Sequence, residues 1–256
     1  MNLHILKVGG KVIDDLPLLQ PILEAFLQKE GQKIIVHGGG KKASELSEKL
    51  GIPVQMVNGR RITDAAALEV ATMVYAGLFN KQIVALLQSI GGNALGLSGA
   101  DGNVILAHRR PVKEIDYGFV GDLDVVNAEA IHRLLSAEFV PVFCAITHDG
   151  QGQLLNTNAD TIASSLATAM SALYEVKLYL CLDKNGVLSN AEDDNSVIPR
   201  INAADYARYK AEGVVYAGML PKLDNAFDAL AQGVKEVIIC GPESLVQGGG
   251  TVIYAD

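Results

Sequence analysis

Positive charge is in short supply in this sequence. Its 256 residues carry 21 Lys and Arg against 29 Asp and Glu, a formal net charge of -8. A surface that holds nucleic acid needs a basic face, so this balance argues against a nucleic-acid partner. Cysteine is scarce too: Cys144, Cys181 and Cys240 each lie inside an apolar run ("PVFCAI", "LYLCLD", "VIICG"). Their spacing fits no zinc pattern, and they read as buried free thiols. No basic segment precedes the first apolar run in "MNLHILKVGG", and that run is far too short to span a bilayer. The other apolar segments are strand-length or amphipathic. The expectation is a cytoplasmic protein with no membrane partner and a small molecule as its substrate.

Several chemical signatures are missing as well. "VHGGGKK" has glycine before lysine but no Ser or Thr after it, so the P-loop pattern fails. There is no G-x-G-x-x-G for a dinucleotide. The five histidines form no H-E-x-x-H or other metal spacing, so no residue is assigned to a metal. No G-x-S-x-G and no cysteine–histidine arrangement supports covalent catalysis.

What the chain does contain is alternation. Short Val/Ile/Leu-rich runs ("LHILKV", "KIIVH", "VPVFCAI", "VKLYLCL", "KEVIIC") are separated by helical patterns such as "LPLLQPILEAFLQKEG" and "NADTIASSLATAMSAL". The stretch from Asp64 to about residue 92 reads as one long helix, with Thr63 or Asp64 as its cap. Continuous apolar strands between helices predict an α/β fold with a mostly parallel sheet covered on both faces. No Pro/Ser/Gly tract divides the chain. Two lobes, 1–174 and 175–256, are therefore expected to share one continuous sheet.

Ligands of such sheets bind at the carboxyl ends of the strands. Two glycine-rich turns fall there: Lys7–Gly10 ("KVGG") and the turn after Val36 ("VHGGGKK"). Bare glycines make tight turns whatever the function. Two of them at consecutive strand ends, with free backbone N–H groups and lysines nearby, point to an anion cradle. Lys7 either snorkels to solvent or aims a point charge at a phosphate. Asn156, Asn158 and Asp160 open a helix, and three such groups exceed what one cap needs. Lys222, in the first turn of the helix that Pro221 opens, stands where the helix dipole disfavours a cation. In "NGRRIT", Arg60 and Arg61 offer a bidentate fork for a carboxylate, one of the pair being merely solvated. His37 either braces the glycine turn or is a satisfied core histidine.

In this order the pieces "KVGG", "VHGGGKKASEL", "NGRRITD", "GLSGADG", "LLNTNADTIA", "LYLCLDKNGVL" and "GMLPKLDNA" resemble the amino acid kinase family over nearly the whole chain. Within it, the likeness is to the branch that acts on N-acylated glutamate. The resemblance implies a three-layer α/β/α sandwich with an N-terminal acceptor lobe, which also dimerises, and a C-terminal nucleotide lobe. It implies transfer of the γ-phosphoryl of ATP, with Mg²⁺ carried mainly by ATP, to the substrate's side-chain carboxylate. Carried over residue by residue, Lys7 and Lys222 from opposite lobes stabilise the moving phosphoryl group, Asp160 orients both lysines, and Gly10 and Gly39 donate backbone N–H groups. Arg61, rather than Arg60, grips the α-carboxylate; Gly39, Gly40 and Asn156 line the same pocket. The nucleotide falls to Asp183, Lys184, Asn185, Gly186, Val187 and Leu188, and to Val214, Val215, Tyr216 and Met219. "CLDKNGVL" departs from the more usual "SDVxGVL" of the family on the adenine side.

The first strand starts within a few residues of Met1, whereas some members carry an extra N-terminal helix that links dimers into arginine-inhibited hexamers. A homodimer that arginine does not inhibit is the corresponding expectation. Two alternatives stay open at this point. One is the same reaction on another N-acylglutamate, such as N-succinylglutamate. The other is a non-catalytic sensor of amino acids or nucleotides.

Overall fold

The computed structural model describes residues 1–57, 60–190, 192–215 and 219–255. In chain order its strands are β1 (Asn2–Val8), β2 (Gln32–His37), β3 (Met56–Val57), β4 (Arg60–Arg61), β5 (Ala94–Leu97), β6 (Ile105–Arg109) and β7 (Gly121–Val126). They continue with β8 (Val140–Cys144), β9 (Ile146–His148), β10 (Leu154–Asn156), β11 (Glu175–Cys181), β12 (Arg200–Ile201), β13 (Glu236–Cys240) and β14 (Thr251–Tyr254). The helices are α1 (Lys11–Asp14), α2 (Leu16–Leu27), α3 (Gly40–Lys49), α4 (Ala65–Thr72), α5 (Asn80–Ser89) and α6 (Ala128–Ser136). After them come α7 (Ala159–Met170), α8 (Ala203–Glu212), α9 (Leu220–Ala231) and α10 (Pro242–Val246). The expected class holds: an α/β protein whose main sheet is mostly parallel.

Two compact units make up the chain, and they interleave along it. The first comprises Met1–Ile34 and Leu166–Asp256, the second Ile35–Ser165. In the first, strands run β12-β14-β13-β11-β1, all parallel to their neighbours except that β14 runs antiparallel to β13. β1 is apolar on both faces because both are covered, with Leu3, Ile5, Leu6 and Val8 fully buried. Its register sets Lys7 opposite Leu180 of β11. This pairing is why Lys7 shares a unit with Lys222, although residue 175 lies between them in sequence. Helix α2 starts where Asp15 accepts the Leu18 backbone N–H, with Pro17 in its first turn.

In the second unit β2, β8 and β5 are parallel neighbours. A separate sheet runs β10-β9-β6-β7, and β3 and β4 form a small antiparallel pair. The long helical pattern is present but is not one regular helix. Asp64, not Thr63, caps α4 by accepting the Ala67 N–H at 2.8 Å. A π-helical segment, Met73–Phe79, then separates α4 from α5. The whole run Ala65–Ser89 is long and apolar enough to cross a membrane by length and composition. Here it is a core helix: Val70, Ala71, Val74, Ile83 and Leu87 are buried, and the Asn80 amide donates to Val142 O.

Candidate active site

In the first unit, β1 ends at Val8 and the chain turns through Gly9 and Gly10 into α1. Gly10 has φ 57° and ψ -137°, a conformation that a side chain would strain. The turn is closely lined by charge. A Cβ on Gly9 would lie 2.8 Å from Lys7 Nζ, and one on Gly10 3.3 Å from Asp183 Oδ1. Lys7, Gly10 and Asp183 are thus brought together at the carboxyl ends of β1 and β11. The thiols below them feel it. A hydrogen bond with Cys240 holds the Cys181 thiol below its ordinary value, burial opposes this, and the Lys7 charge assists it. The same bond and burial push Cys240 well up.

The rest of the expected nucleotide segment is tied into this unit by its backbone and polar groups. Lys184 pairs with Asp194 at 2.6 Å, and Asn185 Oδ1 accepts the Ser244 N–H in the first turn of α10. Past Gly186, the Val187 N–H donates to Thr251 Oγ1 at 2.8 Å, and Leu188 bridges to Val197. The Val214 N–H donates to Tyr209 O, Val215 is buried, and Tyr216 lies outside the described residues. Met219 is buried at the cap of α9, and Lys222, half-buried, follows in its first turn with Pro221.

In the second unit the other glycine turn follows β2. Gly39 caps α3 with φ 154°, and a Cβ there would meet Phe79 at 2.7 Å and Tyr75 at 2.9 Å. Both rings come from the π-helical segment. Behind the turn, His37 is fully buried and donates Nδ1–H to the Gly38 carbonyl at 2.9 Å, while its Nε2 accepts from the Asn80 amide at 3.1 Å. Asn80 Oδ1 accepts from Lys81 Nζ at 3.0 Å. Burial pulls the imidazole down to about 4, so it is neutral. Both readings of His37 therefore hold: it is a satisfied core histidine, and it braces the turn.

Arg61, on β4, is only 9% exposed, whereas Arg60 is exposed. Arg61 Nη2 donates to Gly40 O at 2.8 Å and to Ser44 Oγ at 2.7 Å. Its charge reaches the Tyr75 phenol, whose pKa burial raises while the Arg61 charge pulls it back. Arg61, Gly39 and Gly40 therefore share one polar cluster. Asn156 joins it indirectly, its Nδ2 donating to Thr63 Oγ1 at 3.0 Å. Of the three polar groups around α7, Asn158 is the cap, accepting the N–H groups of Asp160 (2.8 Å) and Thr161 (3.1 Å). That releases the Asp160 carboxylate from capping, and its Oδ1 is shielded from solvent. Ser44, Tyr75, Phe79 and Asn80 were not read from the sequence. Asn80 alone carried a signal, as an amide within an apolar helical pattern.

The profile of the Amino acid kinase family matches residues 2–241. The chain is 53% identical over 252 residues to acetylglutamate kinase of Bacteroides fragilis, spanning 98% of this chain and 97% of that protein. It is 39% identical over 255 residues to acetylglutamate kinase of Methanopyrus kandleri, spanning 98% and 100%. N-acetylglutamate synthase from Neisseria gonorrhoeae, solved with coenzyme A and N-acetyl-glutamate, shares the fold with a TM-score of 0.82. Its identity is 19%, over 99% of this chain and 59% of that one. With the profile and both kinases matched along almost its full length, the chain belongs to the amino acid kinase family.

Proposed function

We propose that the protein transfers the γ-phosphoryl group of ATP to the side-chain carboxylate of N-acetyl-L-glutamate. The product is N-acetyl-L-glutamyl 5-phosphate, formed in the second step of arginine biosynthesis. The observation that carries this reading is the Arg61 cluster. A nearly buried guanidinium is held by Gly40 O and Ser44 beside a turn whose Gly39 has no room for a side chain. An arginine fixed in this way presents its remaining donors as a rigid fork for the substrate's α-carboxylate. Full-length similarity to acetylglutamate kinases supports the same substrate. A binding-only sensor would have no use for Lys7, Asp160 and Lys222 together.

The chemistry asks little of acid–base catalysis. A carboxylate of pKa about 4.3 is already ionised at neutral pH, so no general base is needed. Its oxygen attacks the γ-phosphorus, the bond from that phosphorus to the β,γ-bridging oxygen breaks, and ADP leaves with the electron pair. Two anions must approach in line, so positioning and countercharge decide the rate. Lys7 and Lys222 supply the countercharge, Asp160 orients them, and Gly10 and Gly39 donate backbone N–H groups to phosphoryl oxygens. Gly39, Gly40, Arg61 and Asn156 hold the acyl amino acid. The Asp183–Leu188 segment and residues from Val214 to Met219 hold the nucleotide, so that 1–174 serves the acceptor and 175–256 serves ATP.

Among the described residues no three His, Cys, Asp or Glu groups converge on a metal-sized site. A Mg²⁺ ion carried by ATP, with ligands mostly from phosphate oxygens and water, would fit such a donor set and would supply countercharge to the phosphates. The three buried thiols suit a reducing cytoplasm.

The test is ATP-dependent acyl-hydroxamate formation with Mg²⁺ and hydroxylamine, running N-acetyl- and N-succinylglutamate side by side. N-acetylglutamate is expected to give the larger kcat/KM. Protein that binds ATP yet forms no hydroxamate from any N-acylglutamate would refute the kinase reading.

A further inference from the structure

We infer that the Thr63 hydroxyl is a positioning group that holds two substrate-binding elements, the Arg61 main chain and the Asn156 amide, in one fixed arrangement. This rests on the function proposed above. Thr63 is fully buried, and Asp64 has taken the capping duty at α4, so the Thr63 side chain has another task. Its Oγ1 donates to Arg61 O at 3.3 Å and accepts from Asn156 Nδ2 at 3.0 Å. A hydroxyl has one hydrogen, and the Arg61 carbonyl can only accept. That hydrogen therefore goes to Arg61, so Asn156 must present its NH2 group to Thr63 and turn Oδ1 away.

The backbone holds the hydroxyl in place. The Thr63 N–H donates to Tyr117 O at 3.0 Å, and Thr63 O accepts from Phe119 N–H at 2.7 Å. The Phe119 carbonyl in turn accepts the Asn156 N–H at 2.9 Å. Thr63 and Asn156, 93 residues apart, are thus anchored to the same short segment, and the hydroxyl closes the loop between their side chains. Arg61 is gripped from the other side by its own guanidinium bonds to Gly40 and Ser44. Without the hydroxyl, Asn156 is free to rotate, and the β4 carbonyl loses its partner. A misaligned acceptor pocket weakens substrate binding more than it slows a transfer whose countercharge comes from elsewhere.

Thr63→Val keeps the shape and removes the hydroxyl; Thr63→Ser keeps the hydroxyl. For T63V the expected result is a roughly tenfold or greater rise in KM for N-acetylglutamate, what losing one or two net hydrogen bonds gives. Its kcat should fall by less than about threefold, with KM for ATP unchanged, and T63S should restore all three. Asn156→Ala combined with T63V should cost clearly less than the product of the two separate effects, since one acts through the other. Calorimetric titration with N-acetylglutamate separates the possible failures. If the wild type binds it and T63V binds it equally well, the positioning role is wrong and the substrate reading stands. If T63S is as impaired as T63V, or T63V loses kcat and ATP affinity along with thermal stability, Thr63 is only a packing residue. A wild type that binds no N-acylglutamate overturns the substrate reading and this role with it.

Discussion

At the end of β2 the His37 imidazole sits between the Gly38 carbonyl and the Asn80 amide, and the bond that its Nε2 accepts from Asn80 requires the neutral ring. Burial lowers its pKa from 6.5 to about 4. An unfolded chain takes up the proton near 6.5, so between these values it binds more protons than the folded one. Stability therefore depends on this residue in one direction: its contribution is complete above about 6.5 and is lost as pH falls toward 4. The gap corresponds to about 3 kcal/mol. Urea denaturation of the wild type should weaken steeply from pH 7 to 5, and His37→Gln should show a clearly shallower slope. His4, whose pKa burial also lowers, adds a part of the slope that the variant keeps. At this scale the sequence announced the charged and bare residues, Lys7, Gly39, Arg61 and Asp160, because each is out of place in its local pattern. Ser44 and Tyr75 were silent: a serine and a tyrosine inside helical patterns look the same whether or not an arginine lies against them.

Among the elements, strands and their closing turns were the most legible. A buried parallel strand is a continuous apolar run, and β1, β2, β8, β11 and β13 are such runs. Helix α8 went unread although Asn202 caps it, accepting the Asp205 N–H, and Gly213 ends it in a left-handed conformation. None of its described residues is buried, so there was no apolar stripe to see. The π-helical segment was also beyond reach, since "MVYAGLF" is as helical as its neighbours by propensity. Its effect is local and large, because it sets Tyr75 and Phe79 against Gly39. Gly39→Ala would drive a methyl group to within 2.9 Å of both rings. The expected outcome is a loss of about 2 kcal/mol or more in denaturant melts, with a fall in kcat as the turn moves. An alanine variant as stable and active as the wild type would show that the rings yield at no cost.

For the whole molecule, the acidic balance and the family fold leave a small-molecule enzyme with exposed apolar groups to account for. Met73 and Leu78 on the long helix run, and Met56 on β3, are 57%, 40% and 53% exposed. Exposed apolar side chains such as these suit contact with another copy. The expectation is a homodimer, read by light scattering at micromolar concentration as twice the 27.1 kDa of the chain. A mass of one chain would reject it. The order of residues by itself determined the α/β alternation, the glycine turns at strand ends and the family, because apolar periodicity and bare turns are properties of neighbours in sequence. Only tertiary structure decided which groups gather: β1 beside β11, bringing Lys7 and Asp183 to one glycine turn, and Thr63 between Arg61 and Asn156. Such meetings depend on strand register, which pairs Asn2 with Glu175, and on hydrogen bonds such as the one across 93 residues, which no local pattern records.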